Sequence, residues 1–164
     1  TLGGSLRFAE FHPPSFDPEG PVLFGLPAYG VVANDMIRAA NMLAERGWKI
    51  LIKPHPMTPV QLADFPKELC TTIPLGEQVG LRAIIFAASS LGLEAVMSGV
   101  PAIRFRPTGV IALDATPSGI TIPAGNRTEL EELLATIEPP KALAPAEFFS
   151  SPDIGLWRQL LIDD

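Results

Sequence analysis

Two short runs hold most of the side chains whose types and spacing suit chemistry. The first is "KILIKPHPMTP" at 49–59, where an apolar stretch ends in a lysine, a histidine and flanking prolines. Lys53 is a compact positive charge suited to a phosphate. Pro54 and Pro56 fix the backbone on either side of His55, which lowers the freedom a site must lose on binding. An imidazole there can donate to a phosphoryl oxygen or act as an acid. The plainer reading is a solvated lysine and a histidine satisfied by a backbone carbonyl.

The second run is "AASSLGLEAVMSGVP" at 87–101. Ser89 and Ser90 fall where a strand gives way to a helix, and their hydroxyls together with the first-turn N–H groups make an anion site. Gly92 keeps side-chain bulk away from the backbone there. Glu94 is one turn after Ser90, on the same helical face, and a carboxylate at that place accepts the two hydroxyls of a ribose. Against this stand a serine that only caps the helix and a glutamate that only faces solvent. Two further residues complete the set. Gly30, after "LPAY", precedes a long helix whose N-terminus can face a diphosphate, or it closes a tight turn. Arg104, alternating with Arg106 around Phe105, reaches a carboxylate or phosphate, or lies on a solvated edge.

The elements that must position these residues follow from hydrophobic period. Val22–Leu26 read as a buried strand. Val32, Met36, Ala40 and Leu43 then share a helical face, with Gly47 as the stop. "WKILI" is the next strand, so the segment forms a β-α-β unit with parallel strands. Thr58 and Pro59 open a short helix through Phe65. "LCTTI" reads as a third strand, Gly76–Leu81 as a helical turn, "AIIFAA" as a fourth strand and "PAIRF" as a fifth. A loop with a short strand at 116–126 closes over the site. Thr128 and Glu131 make a capping-box pattern before an apolar face of Leu130, Leu133, Leu134 and Ile137. "IGLWRQLLI" reads as a last helix docked by Trp157 and Leu161.

The alternation implies an α/β fold: a Rossmann-like, doubly wound parallel sheet of five or six strands in three α/β/α layers. The divisions expected are a Pro-rich lead-in over 1–20, with one short strand around Leu6–Phe11, a Rossmann-like domain over 21–138 and a tail over 139–164. Ligands of such sheets bind beyond the carboxyl ends of the strands. That directs attention to Pro27–Gly30, Lys53–Pro56, Ser89–Glu94 and Arg104–Thr108.

Bulk composition bounds the function. The 164 residues suit one core; 47% are hydrophobic, 18% are charged, and the formal net charge is -6. The balance argues against a disordered chain and against a duplex nucleic-acid binder. The longest apolar run, "AIIFAASSLGL", is well short of the ~20 residues of a membrane span. The beginning has no secretory-signal pattern, and the single cysteine, Cys70, forms no internal disulfide, so cytoplasm is the expected compartment. His12 sits in the Pro-rich lead-in and reads as incidental. No His/Cys/Asp set has metal spacing, so no metal is expected. Dinucleotide, Walker A and nucleophile-elbow motifs are absent from the sequence.

"LIKPHP" followed by "SSLGLEAVMSGVP", with "GITIPAGNRTELEELL" beyond, resembles the C-terminal, nucleotide-sugar-binding domain of GT-B glycosyltransferases. The resemblance is to the His-Pro type of bacterial surface-carbohydrate enzyme: sialyltransferases, Kdo transferases and CDP-glycerol polymer transferases. It spans Pro21 to Ile137. It implies that His55 contacts the donor phosphate and helps the nucleotide leave, with Lys53 and Pro56 beside it. It implies Ser89 and Ser90 on phosphate and Glu94 on ribose. The donor would be a CMP-linked sugar, or a CDP- or UDP-linked one, with no other cofactor. A GT-B enzyme also needs an N-terminal acceptor domain, so the resemblance implies an excised half of a longer protein. That protein would take a glycan or lipid-linked acceptor and meet the membrane, if at all, through regions outside this chain. A non-catalytic nucleotide-sugar or phosphate-binding module and a sugar-nucleotide epimerase-like domain are the alternatives.

Overall fold

The computed structural model describes residues 12, 14–56, 66, 69–111, 116, 119–150 and 153–162, with the backbone alone at 157 and 160–162. The central strands are β1 (Val22–Gly25), β2 (Ile50–Lys53), β3 (Ala83–Phe86), β4 (Ala102–Phe105) and β5 (Ala124–Gly125). All pair in parallel, in the order β2-β1-β3-β4-β5. The helices are α1 (Gly30–Glu45), α2 (Leu91–Ser98), α3 (Leu130–Thr136) and α4 (Ile154–Ile162).

Strand alternation divides the core between two faces. Phe24, Ile52, Ile85, Ile103 and Phe105 point to the side of α1 and α3, where Met36, Leu43, Leu130 and Leu134 meet them. Leu23, Ile84, Phe86 and Ala102 point to the other side, against Ala95 of α2 and Leu75 and Leu81 of the preceding loop. The result is a Rossmann-like three-layer α/β/α sandwich. β1 and β3 are buried along their whole length, which is why they read as uninterrupted apolar runs. Each large side chain so buried contributes about 1.5–3 kcal/mol of transfer free energy. α1 ends where Gly47 takes a φ of +90°, and α2 where Gly99 takes +73°.

Three expectations change. "LCTTI" is not a strand: it makes one parallel bridge, Cys70 to Ile52, on the outer edge of β2. After Thr71 N–H donates to the Ile52 carbonyl, the chain turns inward. Among the described residues the count is therefore five strands plus that bridge, and with the bridge included the chain order across the sheet is 3-2-1-4-5-6. The short helical turn sits at Leu75–Glu77, earlier than expected. The Thr128/Glu131 capping box does not form. The Asn126 side chain takes the Thr128 N–H, and the Glu129 carboxylate takes the Asn126 N–H, so the turn before α3 is closed locally. The apolar face of α3 is as expected, with Leu130 and Leu134 buried and Leu133 and Ile137 packed beside them.

The lead-in is bound to the domain. Phe16 bridges Leu81 in parallel, Leu81 N–H donates to the Ser15 carbonyl and Asp17 N–H to the Leu81 carbonyl. The strand at Leu6–Phe11, the helix at Thr58–Phe65 and the docking side chains Trp157 and Leu161 lie outside the described residues. No helix among the described residues is long and apolar enough to cross a membrane.

Candidate functional site

Because every strand runs the same way, all their carboxyl ends open on one edge. At β1 the order of connection reverses: β2 lies on one side of it and β3 on the other. Such a switch point leaves a crevice. On its β2 side, between the end of β2 and α2, lies a cavity of about 920 Å³, within the range of small-molecule sites. Lys53, Pro54, His55 and Pro56 line it from the end of β2, and Leu91 and Glu94 from α2. Gly25 at the end of β1 makes room for α2, since the Leu91 side chain fills the space a Cβ would take.

The far wall is the loop from Thr71 to Glu77. Three sets of bonds hold it. Thr71 N–H donates to the Ile52 carbonyl over 2.8 Å. The Lys53 ammonium donates to the carbonyls of Ile73 (2.6 Å) and Thr72 (3.4 Å). The buried Gln78 amide donates to Thr71 Oγ1 and to the Ile73 carbonyl, each over 3.1 Å, while Thr71 Oγ1 also accepts from Ile73 N–H. Buried polar groups cost free energy unless paired, so this brace fixes the loop in one arrangement.

Charges of both signs line the cavity. Burial pushes the Lys53 ammonium below the ordinary lysine range, and the Glu94 carboxylate nearby partly restores it. Glu94 is only 5% exposed, and Ser90 Oγ donates to its Oε1 over 3.2 Å. The expected relation of Ser90 and Glu94 across one helical turn is thus present. Ser90 occupies the N-cap position of α2 without a capping hydrogen bond. Glu77 adds a second carboxylate. The set combines groups that donate to phosphoryl oxygens with carboxylates that accept sugar hydroxyls.

The other sequence-derived candidates fall elsewhere. Ser89, Ser90 and Gly92 line a second cavity of about 210 Å³, closed by Phe86, Ile120 and Ile122. The Ser90–Glu94 bond links the two cavities. Ser89 Oγ is buried with no hydrogen-bond partner among the described residues. Gly92 has a packing reason that sequence did not give: the Phe86 ring occupies the space of its Cβ. Gly30 is the first residue of α1, with open space where a Cβ would project. Arg104 is half-buried within β4, on the α2 side of the sheet, and Arg106 pairs with Glu129 over 2.7 Å. Neither Gly30 nor Arg104 lines the large cavity.

Sequence reasoning missed Thr71, Gln78 and His12. His12 lines the large cavity from the lead-in. Among the described residues no group of three or more His, Cys, Asp or Glu side chains could hold a metal. No family model, curated protein sequence or solved structure matches the chain.

Proposed function

We propose that this chain is a binding module for a nucleotide or other phosphorylated ligand, seated in the large cavity between the carboxyl end of β2 and α2. One observation carries the reading: Lys53, His55 and Glu94, from two separate elements, line a single cavity between the end of β2 and α2, on the β2 side of the switch point. Lys53 and His55 supply donors for a phosphoryl group, and Glu94 accepts a hydroxyl of the attached sugar. Calorimetry with CMP, CDP, UMP, UDP, GDP and inorganic phosphate tests it. At least one nucleotide should bind, and His55→Ala should weaken it by roughly tenfold, as loss of a charge-assisted hydrogen bond does. Absence of binding across the panel overturns the reading.

A finer reading is favoured by the place of His55 beside Lys53 and Glu94, together with the resemblance of "LIKPHP" and "SSLGLEAVMSGVP" to GT-B donor domains. In it, the ligand is a nucleotide-activated sugar, CMP-linked or else CDP- or UDP-linked, used in bacterial surface polysaccharide synthesis. Lys53 and His55 would stabilise charge developing on the departing phosphate. An acceptor domain would supply the base and the glycan or lipid-linked acceptor. In an intact two-domain protein, His55→Ala should then depress turnover far more than nucleotide affinity. Equal turnover in the variant removes the catalytic role and leaves the binding role standing.

A further inference from the structure

We propose that His12 is a second ligand-binding residue of this cavity, so that a phosphorylated ligand is held by two imidazoles from distant parts of the chain. The inference rests on the binding reading above and adds a contact that it does not use.

The chain has two histidines, and both line the same cavity. His55 comes with the end of β2, where strand polarity alone puts it on the ligand edge. His12 arrives there by a separate route. The lead-in is clamped to the segment before β3 by the Phe16–Leu81 bridge, and Ser15 Oγ accepts from Gly80 N–H over 2.9 Å. The Arg82 guanidinium lies 5.8 Å from the centre of the Phe16 ring. Two close approaches complete the path. Gly20 lies so near the Gly80 carbonyl that a Cβ would collide with it. A Cβ on Gly76 would lie 2.5 Å from the His12 carbonyl oxygen, too close for backbone to tolerate. Glycine at 76 therefore lets the lead-in rest on the cavity wall at residue 12.

The chemistry of the cavity calls for such a contact. Glu77 and Glu94 line it and oppose an anion, while Lys53 gives hydrogen bonds to Thr72 and Ile73. With Lys53 shared in this way, phosphoryl oxygens need further donors; the Thr71 and Thr72 hydroxyls line the cavity too, and the imidazoles of His55 and His12 are its further side-chain nitrogen donors. A ligand touching both has acceptor oxygens at two places, as a nucleoside phosphate does.

Two histidines give a simple readout. Imidazole ring signals of the full chain are followed by NMR during titration with CMP, alongside calorimetry. Both ring sets should shift with the dissociation constant that calorimetry gives. His12→Gln, at an exposed position, should weaken CMP binding roughly fivefold, the value of one hydrogen bond, while the His55 ring still responds. If the His55 ring moves and the His12 ring does not, or if His12→Gln binds as tightly as the parent, the inference fails and the binding reading survives. If neither ring moves and no nucleotide of the panel gives heat, the binding reading itself fails and this inference with it.

Discussion

The Lys53 ammonium and the Ile73 carbonyl are 2.6 Å apart, and that bond ties the end of β2 to the loop forming the far wall of the cavity. A residue that sequence assigns to ligand binding thus also holds the wall of the site. Lys53→Met should remove both effects. Hydrogen exchange at the amides of residues 72–77 should quicken, nucleotide affinity should fall, and stability should drop by about 1 kcal/mol, since the cation is only partly withdrawn from water. Unchanged exchange in the loop would show that the backbone and Gln78 bonds suffice.

Lys53 also predicts a titration. Burial lowers its pKa and the Glu94 charge partly offsets this. Glu94→Gln should therefore lower the Lys53 value further, as read from the carbon resonances of the reductively methylated lysine. The sign for stability follows. Between the lowered value and the ordinary lysine value, the unfolded chain binds more protons than the folded one. The contribution of Lys53 to stability then rises as pH climbs through that alkaline window, and it rises more in Glu94→Gln. A Lys53 value that moves upward in the variant contradicts the arrangement.

The brace between Gln78 and Thr71 predicts a stability loss far from any ligand contact by Gln78. Gln78→Leu removes one donor from buried Thr71 Oγ1 and one from the Ile73 carbonyl, which keep their bonds from Ile73 N–H and Lys53. Chemical denaturation should show a loss of about 1 kcal/mol, the net value of a hydrogen bond whose acceptor keeps another donor. Nucleotide affinity should weaken in step with exchange in the loop. Stability equal to the parent's would mean that the loop does not depend on this brace.

Neighbouring positions at the start of α2 should respond in opposite directions. Gly92→Ala drives a methyl group into the Phe86 ring and should cost about 1–3 kcal/mol. Ser89→Ala removes a buried hydroxyl that has no partner among the described residues, and should raise stability by up to about 1 kcal/mol. If that hydroxyl serves a ligand, the same variant binds nucleotide more weakly. Denaturation midpoints with and without CMP separate the two effects.

Local pattern carried much of this fold. The β1-α1-β2 unit and the helix around Glu94 depend on neighbours two to four residues apart, so periods of 2 and 3.6 made them legible. The same reasoning placed Lys53 and His55 at the carboxyl end of their strand, where both line the large cavity. It failed where another hydrogen-bond partner competed with the pattern expected. "LCTTI" has strand-forming residues, yet Gln78 and Lys53 draw Thr71, Thr72 and Ile73 away from the sheet edge. Thr128 and Glu131 have capping spacing, yet Asn126 and Glu129 take the N–H groups first.

By itself the sequence determined that this chain forms an alternating α/β domain and that Lys53, His55, Ser89, Ser90 and Glu94 follow or flank strand ends, because those properties are set by residues near one another along the chain. Only the tertiary structure decided that Glu94 shares a cavity with His55 while Ser89 lines another, and that His12 reaches the first. Those outcomes depend on which face of α2 meets the sheet and on close approaches at Gly25, Gly76 and Gly92. Such contacts join residues far apart in sequence, and no local period encodes them.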